Sequence, residues 1–125
     1  MPLPTFENVI PNTPFQEQMG AGAAGPVVLL NTFVVADESA EAMLECWRED
    51  ALIMKQAPGF ISTQLHRAVG APGVFVNYAV FESMAAYRAA FANPAFRAAI
   101  EKTPEGAVMR VVLLEKVAVP NLCVA

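Results

Sequence analysis

Residues 75–81 read FVNYAVF, a β-strand with one position that looks misplaced. Side chains alternate across a strand, so Phe75, Asn77, Ala79 and Phe81 share one face, with Val76, Tyr78 and Val80 on the other. A carboxamide thus faces the same way as two phenylalanines. Buried without a partner it costs about 1–3 kcal/mol, so either the fold satisfies Asn77 internally or a ligand does so from a cavity. The run VVLLNTFVV, residues 27–35, repeats the pattern: Asn31 shares a face with Val27, Leu29, Phe33 and Val35.

Working outward, the acidic ADESAE after the 27–35 strand suits a helix N-terminus. Met43, Trp47, Ala51 and Met54 then recur at helical spacing, which predicts an amphipathic helix over 39–56, stopped by Pro58 and Gly59. FISTQLHRA is a second strand, GAPG a turn, and VFVNYAVF the third strand. Ser83 is the expected N-cap of the next helix, whose inner stripe is Met84, Tyr87 and Phe91. Asn93–Pro94 breaks it before the continuation AFRAAIEK, and AVMRVVLLEKVAV (107–119) is a final strand. The order βαββαβ is that of an α+β, ferredoxin-like fold with a four-stranded antiparallel sheet, its first and third strands adjacent at the centre. Two helices cover only one face of such a sheet. Both central strands are apolar on both faces, so a face-to-face homodimer, a dimeric α+β barrel, is expected to cover the other.

The chain of 125 residues accommodates one domain. Residues 1–26, with five prolines, read as an arm or linker, 27–119 as the folded domain and 120–125 as a C-terminal tail. The arm is expected either to be disordered or to wrap over a neighbouring subunit through Phe6, Ile10 and Phe15. With 55% hydrophobic and 16% charged residues, self-association is a further expectation. A net charge of −4, with the basic residues scattered, offers no stripe for phosphates and speaks against nucleic acid as a partner. No apolar run has membrane-spanning length and no signal-peptide pattern opens the chain, so a cytoplasmic protein without a membrane partner is expected. Cys46 and Cys123 have neither a disulfide-framework nor a metal-site spacing and read as free thiols.

The chemistry-bearing candidates gather around the two asparagines. They bond to each other or to backbone, or they converge on an apolar cavity of the kind that binds small molecules. Tyr87 offers a hydroxyl to that cavity, or rests it in water at the end of a core stripe. Trp47 faces inward at core spacing and either packs or lines a pocket for a flat substrate. His66, the single histidine, suits proton transfer near neutral pH or a structural role. Alternation sends it and Arg67 to opposite faces, so at most one shares a cavity with the asparagines. Phe33, Phe81 and Phe91 complete the candidate substrate-binding set with Trp47 and Arg67. No GxGxxG, P-loop or Cys/His metal spacing is present, and the expectation is a protein without metal or organic cofactor.

Taken together, LLNTFVV, a helix containing CWRED, APGFISTQLHR, FVNYAVFESMAAYRAAFANPAFRAAI and a terminal strand resemble the antibiotic biosynthesis monooxygenase family over about residues 27–119. The resemblance implies a dimeric ferredoxin-like barrel with a cavity between each sheet and its helices. It also implies cofactor-free oxidation of anthrone-type aromatic polyketides to quinones by O₂. Asn31, Asn77 and Tyr87 match family positions that serve this chemistry. Phe81 stands where those enzymes carry a tryptophan four residues after the asparagine, which removes an indole N–H donor. A related haem-degrading branch resembles the chain at Asn31. Its helix tryptophan falls at Ala90 and its iron-ligating histidine within FRAAIEK, which has none.

The functional expectation is a cofactor-independent monooxygenase with O₂ as co-substrate and a small hydrophobic aromatic substrate, with catalytic residues Asn31, Asn77, Tyr87 and His66. A non-catalytic barrel that binds a hydrophobic metabolite is the alternative, and haem binding a third.

Overall fold

The computed structural model describes residues 4–10, 13–22 and 25–124. Arm residues 1–3, 11–12 and 23–24, and the last residue of the expected tail, lie outside the described residues. The elements in order are β1 (Thr5–Asn8), α1 (Phe15–Gly20), β2 (Val27–Val34), α2 (Ala40–Lys55), β3 (Phe60–Arg67), β4 (Val74–Phe81), α3 (Met84–Phe91), α4 (Pro94–Ile100) and β5 (Val108–Glu115). A 3₁₀ turn at Asp37–Ser39 leads into α2.

From β2 to β5 the chain follows the ferredoxin-like order, and β2 and β4 lie side by side at the centre. The sheet has five strands rather than the expected four, in the order β1-β5-β2-β4-β3. The extra strand comes from the arm: β1 runs parallel to β5, Thr5 opposite Val108 and Asn8 opposite Val111. Arg110 and Glu7, paired in that register, also form an ion pair at 2.6 Å. Both side chains are about half exposed, so the pair contributes little beyond alignment. The last strand stops at Glu115 instead of running to 119, and Val119 bridges back to Cys123.

Local chemistry accounts for the boundaries. Ser83 Oγ accepts the Ala86 N–H at 3.0 Å and starts α3. Asn93 Oδ1 accepts the Ala95 N–H at 2.9 Å, with Pro94 in the first turn of α4. Gly59, at φ 86°, ends the α2–β3 connection, where a Cβ would lie 2.6 Å from the Ala86 Cβ. Proline and glycine at 58–59 thus both stop α2 and let α3 approach.

The helix-facing side of the sheet carries Val27, Leu29, Phe33, Phe75, Ala79, Phe81, Met109, Val111 and Leu113, packed with Met43, Cys46, Met54, Met84 and Tyr87. Each large side chain buried here contributes about 1.5–3 kcal/mol. Thr103 and Cys46 help join α2 to the end of α4: Thr103 Oγ1 donates to Ile100 O at 2.6 Å and lies 3.7 Å from Cys46 Sγ. Burial pushes the Cys46 thiol above its ordinary pKa, with Asp50 adding to the shift. On the reverse face Val28, Val80 and Val112 are buried, while Tyr78 and Leu114 are 37% and 41% exposed.

The arm packs on its own chain. Gln18 Nε2 donates to Leu113 O at 2.9 Å and Gln18 Oε1 accepts the Leu113 N–H at 3.0 Å, so one side-chain amide does what a neighbouring strand would do. Phe15 meets Tyr87 and Phe91 edge-on, at 6.2 and 5.9 Å between ring centroids. Arg88 Nη1 donates to Met19 O at 2.6 Å.

Candidate active site

The register places Asn31 directly opposite Asn77 on the helix-facing side of the two central strands. Leu65 of β3 flanks Asn77, and Val111 of β5 flanks Asn31. The carboxamides have different environments. Thr63 Oγ1 donates to Asn77 Oδ1 at 2.6 Å, whereas Asn31 Oδ1 is buried with no hydrogen-bond partner. Engaging the Asn77 oxygen fixes its carboxamide plane and turns the NH₂ group away from Thr63.

Thr63 reaches Asn77 because of an irregularity at the start of β3. Phe60 pairs with Phe81, yet Ser62 pairs with Val80, so Ile61 is an extra residue at a bulge. Without it Phe60 and Thr63 would face opposite ways. With it both join Phe81, Ala79 and Asn77 on the helix-facing side.

These side chains enclose a chamber of about 70 Å³. Asn31 and Asn77 form its polar floor, with Trp47 and Asp50 from α2, Phe60 and Thr63 from β3, Phe81 from β4 and Phe96 from α4 around it. Trp47, Ala51, Phe60 and Thr63 also line an open groove of about 370 Å³ between α2 and β3, continued by Arg48, Leu52, Lys55 and Ser62. The chamber is large enough for a few waters or the polar edge of a ligand. The groove is large enough for a flat apolar body.

Asp50 was not among the residues expected here. It falls three residues after Trp47 and four before Met54, on the inward stripe of α2, and an acid at a stripe position was the available signal. Its Oδ1 is buried without a partner, as Asn31 Oδ1 is. Burial, with a smaller contribution from the negative charge of Glu49, pushes its pKa up to about 7.

Of the nine residues proposed from sequence, four line the chamber: Asn31, Asn77, Trp47 and Phe81. The other five are placed elsewhere. Tyr87 is buried behind Phe81, with ring centroids 5.2 Å apart, and burial holds its hydroxyl well above the usual phenol range. Phe91 lines a separate cavity with Phe15 and Arg97 beside the arm. Phe33 stacks on Phe75 at 5.6 Å within the core. Arg67 has its guanidinium 5.0 Å from the Phe75 ring centroid. His66, opposite Val76, lies exposed on the reverse face with Nδ1 3.2 Å from Val76 O. Proton transfer in the chamber therefore has neither His66 nor Tyr87 within its walls.

No curated protein matches this chain. Among solved structures it is similar to SnoaB, a cofactor-independent oxygenase from Streptomyces nogalater, at 24% identity and a TM-score of 0.68, over 78% of this chain and 99% of that one. A candidate monooxygenase from Shewanella loihica PV-4 is 32% identical with a TM-score of 0.65, over 78% of this chain and all of that one (100%). Rv0793 from Mycobacterium tuberculosis shares the fold at 16% identity and a TM-score of 0.63, over 77% and 99% of the two chains. The family model described as antibiotic biosynthesis monooxygenase matches residues 26–102. That match runs from β2 to the end of α4 and takes in both asparagines, Thr63 and the whole of α2, and this chain belongs to the antibiotic biosynthesis monooxygenase family.

Proposed function

We propose that this protein is a cofactor-independent monooxygenase that oxidises an anthrone-type aromatic substrate with O₂ to a quinone. The observation that carries the reading is the pairing of Asn31 and Asn77 on adjacent central strands at the floor of an aromatic-walled chamber. Family membership and the resemblance to a cofactor-independent oxygenase support it.

The substrate's rings lie in the groove against Trp47 and Phe60, and its oxygen-bearing edge enters the chamber. Loss of a proton makes an anthrone an electron-rich enolate, which transfers electrons to O₂ directly. The protein's task is to hold the rings and stabilise the anionic oxygen. Asn77, oriented by Thr63, donates an amide N–H to that oxygen, and a single such donor is worth about 2.7–4 kcal/mol in the transition state. Phe81, in place of an indole, leaves the carboxamides and Thr63 as the polar side chains that the sheet contributes to the chamber.

The active form is proposed to be a face-to-face homodimer. The reverse side of the sheet supports this, with Tyr78 and Leu114 exposed beside buried Val28, Val80 and Val112.

The test is O₂ uptake by purified protein with anthrone. Acceleration is expected, with a loss of about 10²–10³-fold in kcat for Asn77→Ala. No acceleration, or an unchanged Asn77→Ala rate, overturns the reading. Binding of anthrone without turnover would instead favour a ligand-binding barrel.

A further inference from the structure

We propose that Asp50 is the proton acceptor of this site, its carboxylate facing the same chamber as the carboxamides of Asn31 and Asn77 and removing the acidic proton of an anthrone or phenol. The inference rests on the oxygenase reading and names the base that reading lacks.

Two buried oxygens without partners, Asn31 Oδ1 and Asp50 Oδ1, belong to residues that line one chamber of about 70 Å³. An amide oxygen accepts hydrogen bonds only, and an ionised carboxylate likewise. Two unsatisfied acceptors in one small space call for a guest that brings a hydrogen, such as the enolic or phenolic O–H of an aromatic ring. The geometry divides the work: Asn31 orients the hydrogen-bearing edge, Asp50 takes the proton, and Asn77 meets the resulting oxyanion. Trp47 and Met54, one turn to either side of Asp50 on α2, are both chamber walls.

The electrostatic surroundings suit a base. Asp50 is the single titratable residue among those lining the chamber. On its own helix Glu49 and Cys46 are adjacent, and Glu49 is paired with Lys102 at 3.7 Å, beyond α4. From α4, Arg97 lies over the Phe91 ring at 4.6 Å. From β3, Arg67 lies over Phe75 and His66 faces the reverse side. No cation sits among the chamber walls to hold Asp50 ionised, so it is a stronger base than a carboxylate in water yet about half ionised near neutral pH.

The substrate C–H or O–H bond breaks, its proton passes to Asp50, and its electron pair remains on the ring system as the enolate. The enolate is then oxidised by O₂. One oxygen atom becomes the new carbonyl, and the other leaves as water with the two hydrogens the substrate loses, one of them returned by Asp50.

The experiment mixes anthrone with wild-type protein and with Asp50→Asn and Asp50→Glu, first without O₂. Absorbance reads the anthrone anion, and quenching of Trp47, the one tryptophan in the chain, reads binding. Wild type is expected to ionise bound anthrone. Asp50→Asn is expected to bind it without ionising it, and Asp50→Glu to recover part of the signal. With O₂ admitted, Asp50→Asn is expected to lose about 10²–10⁴-fold in rate, together with the fall in wild-type rate below about pH 7. Ionisation by Asp50→Asn equal to wild type, or no ionisation by wild type, overturns the assignment. Ionisation that depends on Asp50 but is not followed by faster O₂ uptake supports the assignment and defeats the oxygenase reading instead.

Discussion

The Thr63 hydroxyl holds the Asn77 carboxamide by its oxygen at 2.6 Å, across neighbouring strands and two residues out of direct register. A carboxamide free to rotate would present either end to the chamber. Held this way, it presents its nitrogen. Thr63→Val keeps the shape and removes the anchor. The expected result is a fall in kcat of about tenfold or more with KM little changed, and a stability loss of about 0.5–1.5 kcal/mol by denaturant unfolding. An unchanged kcat would mean that Asn77 needs no orienting partner.

Asn31 carries the opposite cost. Its oxygen is buried and unpartnered in the folded chain, at an expense of about 1–3 kcal/mol. Asn31→Leu, similar in size and without the polar group, is expected to raise the melting temperature while abolishing O₂-dependent turnover of anthrone. Loss of both stability and activity would show that the amide is satisfied structurally.

Asp50 makes stability depend on pH with a definite sign. Its pKa rises from an ordinary 3.8 to about 7 on folding, so the folded state binds the proton more tightly than the unfolded state does. The contribution is fully present below about pH 4 and is lost as pH climbs to about 7. Urea unfolding of wild type and Asp50→Asn across this range should give a difference curve that falls with rising pH and flattens above 7. A flat difference throughout would place Asp50 in contact with water.

The proposed subunit contact has its own measurement. Leu114→Lys and Tyr78→Lys put charges on the reverse face and should convert a dimer to monomers in sedimentation equilibrium. A wild-type monomer would remove that part of the proposal.

Much of the fold could be read from period and punctuation. Alternation in 27–35 and 74–81 marked the central strands, Ser83 and Asn93 marked two helix starts, and the chain order then left one plausible sheet. β1 was not legible, because TFEN has no buried face and is a strand only through its pairing with β5. The bulge at Ile61 was invisible for a similar reason: an extra residue in an alternating run shows only once the partner strand fixes the register. Half of the candidate site followed from the asparagines. Tyr87 has the right spacing for the core, but spacing does not say which side of Phe81 a ring occupies, and Phe15 from the arm contacts the side it took. Asp50 was not legible because an acid on an amphipathic helix ordinarily faces solvent.

The Gln18 amide, closed on both backbone groups of Leu113, has a consequence beyond the arm itself. Beyond the reach of β1, the outer margin of β5 would offer unpaired main-chain groups, an invitation for another polypeptide to add by zipper-like stacking. The glutamine occupies one such position, and at the opposite margin the kink at Ile61 spoils the straight template. A chain this rich in apolar residues is thereby guarded against open-ended fibre growth, and Gln18→Ala should reveal this as faster thioflavin-positive aggregation on mild heating.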